Sequence, residues 1–385
     1  MLLAIGLILF LLLIITHEMG HFIAAKRNGV EPEEFGIFFP PKLWGKKMKG
    51  GWEFTINALP LGGFVKLKGE HDSDTEKGSF GAASDAAKAK IMLAGVAVNF
   101  VTAFVLFTFL ALVGMPKIIE NQFTVVSDTN VVKQETLVGY VDEKSPAAAG
   151  GIKQRDRLVS ISNATQTVRL DGETLSKVTQ NFAGQKVTVA YERSGDLRST
   201  TVQLRDKKTV QESAKTENPV GYLGVVPQQI SIQRSTWSAP VVAAGLSAQI
   251  TKLTFIGIGK ALQGLGGIIA GGITGNTAAR QNAQVEASSQ VSGPLGIFFV
   301  LKDGSSLGWL FMLFIVAIIS LTLAIMNVLP IPALDGGRLY MMLASRLTKE
   351  KRLTPAMEER IVMSSFLLLL GLIALITVVD VKRFF

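Results

Sequence analysis

Four long stretches of the chain are almost entirely apolar, and this pattern predicts four membrane-spanning helices. A helix of about 20 residues crosses the roughly 30 Å hydrocarbon core of a bilayer. We therefore expect an α-helical polytopic membrane protein whose termini lie on one side of the membrane. The expected spans cover residues 1–25, 91–114, 304–335 and 361–380.

Residues 120–227 have a different pattern, in which apolar and polar positions alternate over short runs. Alternation with a period of two is typical of strands that bury one face. Residues 145–151 look like a short helix start followed by a glycine stop, and residues 175–182 can form a second short helix. Short strands with two short helices predict an inserted α+β domain that resembles a PDZ module.

The segment of residues 238–291 allows two interpretations. Residues 240–272 are apolar and glycine-rich, with Lys252 and Lys260 on roughly one helical face. They predict either a fifth span or a helix that lies in the membrane interface. We favour the interfacial helix, because one extra span would place the two halves of the candidate site described below on opposite sides. Residues 274–291 are small and polar, which predicts a linker.

The distribution of charge predicts an orientation. The formal net charge is +9, and basic residues are concentrated in the loops of residues 26–90 and 336–360. Both loops should be cytoplasmic, which places the insert and both termini outside, although Lys382 and Arg383 argue weakly against this for the C-terminus. Basic residues are common in cytoplasmic loops and beside anionic lipid, and this explains the positive charge. We therefore expect no nucleic-acid partner. The first apolar stretch lacks a basic start and a cleavage site, so we expect it to be retained.

The first span ends in the sequence HEMGH, which predicts a zinc site. His17 and His21 are four residues apart, so their imidazoles project from one helical face. Glu18 is rotated by about 100° from His17, within reach of a water that the metal acidifies. The chain has no cysteine, so zinc must be held by histidine and carboxylate. The alternative is a helix end at the interface, but ionisable residues in a span are costly without a function.

Asp335 is the candidate third ligand. It follows a charge-free apolar run and precedes Gly336 and Gly337, which permit close backbone approach. Pro330 and Pro332 interrupt the helical hydrogen-bond ladder, so residues 327–335 should be broken or extended. Such backbone is tolerated at membrane depth only inside protein or beside a wet cavity. The alternative is an aspartate that caps a helix at the end of a span.

Several motifs together resemble the site-2 protease family of intramembrane zinc metalloproteases. HEMGH in the first span and NVLPIPALDGG at the end of the third are similar to its two signature motifs. LPLGGFV at residues 59–65 resembles its membrane re-entrant β-hairpin, AGVAVNF at 94–100 its second-span motif, and SGP at 292–294 the motif before its third span. The layout is most similar to the bacterial regulator-of-sigma-E protease group, with one PDZ-like module.

This resemblance implies a metalloendopeptidase of the bacterial cytoplasmic (inner) membrane, with its active site near the cytoplasmic side. His17, His21 and Asp335 would bind Zn2+, and Glu18 would be the catalytic base. Substrates would be single-span membrane proteins, such as anti-sigma factors or signal-peptide remnants, already shortened by an upstream site-1 protease. The residues expected to hold substrate are Asn327, Gly62, Gly63 and Phe64.

Two other functional classes stay in view. A non-catalytic membrane scaffold with a PDZ-like domain would have no reason to keep Glu18 beside the histidines. A metal transporter would need polar residues along a membrane path, which the second and fourth spans do not supply.

His71 lies in a charged run and is expected to be a solvated loop residue. Asn99 is expected to position the core helices more than to perform chemistry.

Overall fold

The computed structural model describes residues 1–70, 74–170, 174–193, 195–214, 219–274, 276, 293–347 and 354–384. The chain forms two compact units, a membrane unit of Met1–Leu110 with Ala239–Phe385 and an insert unit of Ala111–Ser238. His71 and most of the expected linker at 274–291 lie outside the described residues. In chain order the elements are α1 (Leu2–Arg27), β1 (Pro32–Lys47), β2 (Glu53–Leu67), α2 (Asp85–Val113), β3 (Met115–Lys117), β4 (Asn130–Val141), α3 (Pro146–Ala149), β5 (Arg157–Ser162), β6 (Thr167–Arg169), α4 (Thr174–Asn181), β7 (Lys186–Arg193), β8 (Asp196–Gln203), α5 (Lys207–Ser213), β9 (Val225–Arg234), α6 (Ala239–Thr274), α7 (Pro294–Ser306), α8 (Trp309–Val328), α9 (Asp335–Leu347) and α10 (Pro355–Phe384).

Five of the described helices are long and apolar enough to cross a membrane: α1, α2, α6, α8 and α10. Together with the β-sheets, they agree with a polytopic membrane protein. The fifth candidate is the part of α6 from Ala239 to Ile268, which is the segment that the sequence left open. Length and composition do not separate a spanning helix from an interfacial one, so the four-span topology stays a prediction.

The third apolar run, residues 304–335, is not one helix. Its first residues belong to α7, and Gly308, with φ of 103°, separates α7 from α8. α8 ends at Val328, and Leu329 has an extended backbone with φ of −62° and ψ of 150°. Two prolines follow and remove hydrogen-bond donors that another helical turn would need. A non-helical connection therefore joins α8 to α9.

The loop after α1 forms an antiparallel β-hairpin of β1 and β2, which folds back on itself. Phe35 in β1 pairs with Phe54 near the start of β2 and with Val65 near its end. The described pairs therefore leave the end of β2, residues 63–67, as an edge strand. Leu43 and Trp44 in the hairpin are 70% and 49% exposed. Exposed apolar residues agree with contact to lipid, and the depth of this hairpin in the membrane stays a prediction.

The insert unit has one sheet with described strands in the order β3-β9-β4-β5-β7-β8, with β6 beside β5. Its two expected short helices are present as α3 and α4. Ser145 caps α3 by accepting a hydrogen bond from the Ala148 N–H, and Pro146 occupies its first turn. Buried residues of the strands and of α4 share one apolar core that contains Ile161 and Val189, both 0% exposed. The unit is an α+β domain, and its likeness to a PDZ module stays a prediction.

This core should dominate the stability of the insert unit. We expect Ile161→Ala to lower the free energy of local unfolding by about 2–5 kcal/mol, because it leaves a cavity in a packed interior. Amide hydrogen exchange of β5 and β7 in the intact, detergent-solubilised protein measures this change. Leu197→Ala, at a position that is 72% exposed, is the control and should change exchange by less than about 0.5 kcal/mol. Equal effects of the two substitutions would contradict this account of the core.

Candidate metal centre

Three side chains from the two ends of the chain meet in the membrane unit. Asp335 Oδ2 lies 3.2 Å from His17 Nε2 and 3.3 Å from His21 Nε2. The two Nε2 atoms are 3.2 Å apart. Both histidines are buried, with 8% and 9% exposed. The structure thus brings together the three residues that the sequence singles out as candidate ligands.

Local sequence explains this convergence. On α1 the spacing of four residues places both imidazoles on one face. Asp335 begins α9, directly after the broken segment, and the next two residues pack tightly against that segment. A Cβ atom on Gly336 would lie 2.3 Å from the Val328 carbonyl oxygen, and one on Gly337 would lie 2.0 Å from the Ile331 carbonyl oxygen. Only glycine permits this turn, which directs Asp335 toward α1.

The cluster fits a metal ion. One ligand atom from each of the three residues lies within 4.8 Å of the others. Among the residues that the structure describes, no other group of three potential metal ligands lies so close together. Asp335 Oδ2 is buried and accepts no hydrogen bond of good geometry, although it faces both imidazoles. Two imidazole nitrogens and one carboxylate oxygen are the donor set of a catalytic zinc site with one open position. A divalent cation would satisfy all three atoms at once.

Helix α2 forms the wall behind the histidines. The Ile91 carbonyl oxygen lies 2.8 Å from His21 Nδ1, and Asn99 Nδ2 lies 3.2 Å from His17 Nδ1. Gly95 lies between them, and a Cβ atom there would be 2.3 Å from His21 Nε2 and 2.6 Å from His17 Cε1. The missing side chain of Gly95 therefore makes room for both imidazoles.

A cavity of about 420 Å³ opens beside the cluster. Glu18 is half-buried and lines it. The edge strand of β2 passes directly against this carboxylate, since a Cβ atom on Gly63 would lie 3.0 Å from Glu18 Cγ. All eight residues that the sequence assigns to the site line this one cavity: His17, Glu18, His21, Gly62, Gly63, Phe64, Asn327 and Asp335.

Two further residues belong to this site and were not assigned a role from the sequence. In the sequence analysis Gly95 appears only as part of the AGVAVNF motif. Its role depends on how closely α1 and α2 approach each other. Arg338 appears only as a basic loop residue, yet it lines the cavity one helical turn after Asp335. Its guanidinium lies 3.4 Å from Glu70 Oε2 and 5.9 Å from the centre of the Phe80 ring. The sequence signal that could have identified Arg338 is its position three residues after Asp335, the candidate ligand.

Comparison with known proteins places the chain in a family. The model of peptidase family M50 matches residues 5–372, which is nearly the whole chain. A protein of Clostridium perfringens named as a zinc metalloprotease is 29% identical over 98% of this chain and 97% of its own length. A protein of Clostridium acetobutylicum with the same type of name is 30% identical over 90% of this chain and 88% of its own. A protein of Enterococcus faecalis named as a protease is 24% identical over 98% of both chains.

Gly95 offers a test of the geometry of the cluster. We expect Gly95→Ala to abolish stoichiometric zinc binding, because the new methyl group would overlap both imidazoles. The measurement is zinc per chain by elemental analysis of purified protein. Alanine favours a helix over glycine by about 1 kcal/mol, so unfolding of α2 is not the expected cause.

Gly371→Ala is the matched control for this experiment. Gly371 also lies within an apolar helix, α10, and a Cβ atom there would meet no heavy atom within 4 Å. This variant should keep the native zinc content. Native zinc content in Gly95→Ala would show that the imidazoles do not lie as closely against α2 as described.

Proposed function

Because the chain belongs to peptidase family M50 and is a multi-pass membrane zinc metalloendopeptidase, we propose that it cleaves single-span membrane proteins in or near their membrane segment. The observation that supports this most directly is the cavity beside the His17, His21 and Asp335 cluster. It is lined by apolar helices and by one edge strand. Such a cavity offers a polar centre to an extended peptide within apolar surroundings.

We assign zinc to His17, His21 and Asp335, and the role of general base to Glu18. Zinc, when bound, supplies Lewis acidity that polarises the scissile carbonyl and makes water easier to deprotonate. The Glu18 carboxylate accepts the proton of the attacking water at one oxygen and returns it to the leaving amine. Its position one residue after His17 keeps it beside the metal centre without making it a ligand.

The edge strand and Asn327 would hold the substrate. A peptide bond inside a helix is shielded, so the segment to be cleaved must first become extended and its freed backbone groups must find partners. Residues 62–64 can supply such partners by pairing with an extended substrate as an added strand. Asn327 is half-buried near the end of α8 and lines the same cavity, where its amide can bind substrate backbone.

The substrates we propose are anti-sigma factors or signal-peptide remnants that another protease has already shortened. We place the protein in the bacterial inner membrane, with the active site near the cytoplasmic side and the insert unit outside. The PDZ-like insert would bind an exposed C-terminus or exclude substrates with large outer domains. The competing function, a non-catalytic scaffold, does not need a carboxylate beside three converging ligand atoms.

The role of Glu18 can be separated from zinc binding. We expect Glu18→Gln to retain native zinc content and to cleave a model single-span substrate at least about 100-fold more slowly, because the amide cannot accept a proton. Single-turnover cleavage in detergent and elemental analysis give the two quantities. Gly371→Ala serves again as a control for purification and should cleave normally. Cleavage by Glu18→Gln at the native rate would remove Glu18 from the role of base.

The absence of cysteine allows a direct test of the proposed orientation. Single cysteine variants would be labelled with a membrane-impermeant maleimide in right-side-out spheroplasts. Leu197→Cys in the insert unit should react, and Lys77→Cys in the loop between β2 and α2 should react only after the membrane is permeabilised. Both positions are exposed, so burial does not protect either one. The reverse pattern would overturn the orientation.

The same labelling distinguishes four spans from five. Thr274 is exposed at the end of α6. For an interfacial α6, Thr274→Cys should react from outside, as Leu197→Cys does. Protection of Thr274→Cys until permeabilisation would make α6 a fifth span and contradict the four-span topology.

A further inference from the structure

Asn99 is a fully buried polar side chain in contact with a candidate ligand. It is 1% exposed, and its side-chain amide faces His17 Nδ1 at 3.2 Å. This nitrogen is on the opposite side of the ring from Nε2, which faces Asp335. Asn99 therefore contacts the back of an imidazole whose front belongs to the metal cluster.

One atom of the Asn99 amide faces His17 Nδ1, and which atom suits that place depends on where His17 carries its proton. With Nδ2 toward His17, Oδ1 is buried and has no partner. The nitrogen and oxygen of an amide differ little in size, and rotation by 180° exchanges them. After this exchange Oδ1 faces His17 Nδ1, where it can accept a hydrogen bond. If Nε2 of His17 is a zinc ligand, Nδ1 carries the proton and needs an acceptor, so the exchanged orientation is favoured.

The exchanged amide would in turn hold His17 in the tautomer that a metal ligand needs. A neutral imidazole has one protonated nitrogen and one free lone pair, and a metal takes the lone pair. His21 illustrates the arrangement, because its Nδ1 lies 2.8 Å from the Ile91 carbonyl oxygen, which can only accept. The proton of His21 is therefore on Nδ1, and its Nε2 is free for a metal. Asn99 Oδ1 would impose the same tautomer on His17.

The backbone of Asn99 is anchored as well. Its carbonyl oxygen accepts a hydrogen bond of 2.8 Å from Ser320 Oγ on α8, and Ser320 is 0% exposed. The contact fixes the part of α2 that faces His17 to the helix that leads to Asn327 and Asp335. Ile91 and Asn99 are eight residues apart, close to two helical turns, so one face of α2 presents an acceptor to each histidine.

From these contacts we propose that Asn99 is a positioning residue, whose side-chain oxygen accepts a hydrogen bond from His17 Nδ1–H and thereby keeps Nε2 free for zinc. This inference rests on the proposed role of His17 as a ligand. It assigns Asn99 to the metal centre, whereas packing between helices alone would require no particular tautomer. Partners of this kind behind a metal ligand typically change metal affinity by about 10- to 100-fold.

Histidine spectra of the native protein give the first test. The chain has three histidines, so protein labelled with 15N-histidine has few signals, and His17→Gln and His21→Gln assign two of them. In chelator-treated native protein we expect His17 to be protonated at Nδ1. A proton on Nε2 of His17 in the native protein would overturn the proposal without any variant at Asn99.

Two variants at Asn99 give the second test. Asn99→Leu has a similar volume but no acceptor, and we expect it to bind zinc about 10- to 100-fold more weakly in chelator competition and to lose the Nδ1–H tautomer of His17. Asn99→Asp keeps an acceptor oxygen and should retain both properties. Native affinity in Asn99→Leu, or equal loss in both variants with an unchanged tautomer, would leave Asn99 a packing residue and overturn the proposal.

A separate result would indicate failure of the proposed ligand set. If His17→Gln binds zinc as tightly as the native protein, His17 is not a ligand, and the role of Asn99 falls with it. If His17→Gln loses zinc while Asn99→Leu keeps it, the ligand set stands and only the positioning role fails. The zinc affinity of Gly371→Ala provides the reference for a neutral change in a membrane helix.

Discussion

The approach of His17, His21 and Asp335 to within hydrogen-bonding distance of one another constrains the rest of the membrane unit. It requires α1 and α8 to end at the same level, and α2, which contacts His21, to begin there. If α1, α2 and α8 each span the membrane, the chain therefore crosses it an even number of times between the end of α2 and the start of α8. If α6 is a full span, the segment between α6 and α8 must cross back, and if α6 is interfacial, no crossing is needed.

Close approach of helices at this cluster depends on small residues and a few polar contacts. Helices in lipid gain little from burying apolar side chains against each other, so contact through glycine and buried hydrogen bonds becomes decisive. A Cβ atom on Gly20 would lie 2.9 Å from the Ala94 carbonyl oxygen, and Gly95 admits the imidazoles from the other helix. Ser320 then joins α8 to α2 through the Asn99 backbone. These contacts hold the side chains of His17, His21 and Asp335 close together.

Much of the site could be predicted from the sequence, because helix spacing and helix-breaking residues act over only a few neighbouring positions. The spacing of two histidines on a helix fixes their common face, and the prolines and glycines around Asp335 define a broken segment followed by a helix start. The contacts made by α2 could not be predicted in this way. The acceptor for His21 is a backbone oxygen, which every residue has, and the importance of Gly95 depends on where two helices cross. The break at Gly308 was missed because hydropathy does not register where one apolar helix ends and the next begins.

The edge strand of β2 connects substrate binding with the chemistry of the proposed function. Gly63 lies so close to Glu18 that a side chain there would contact Glu18 Cγ. A peptide that pairs with this edge would run past the carboxylate at a distance set by the sheet, since neighbouring strands lie about 4.8 Å apart. The same pairing satisfies the backbone groups that unwinding sets free. Binding as a strand would therefore expose the peptide bond and place it beside the base in a single step, which a substrate that stayed helical could not achieve.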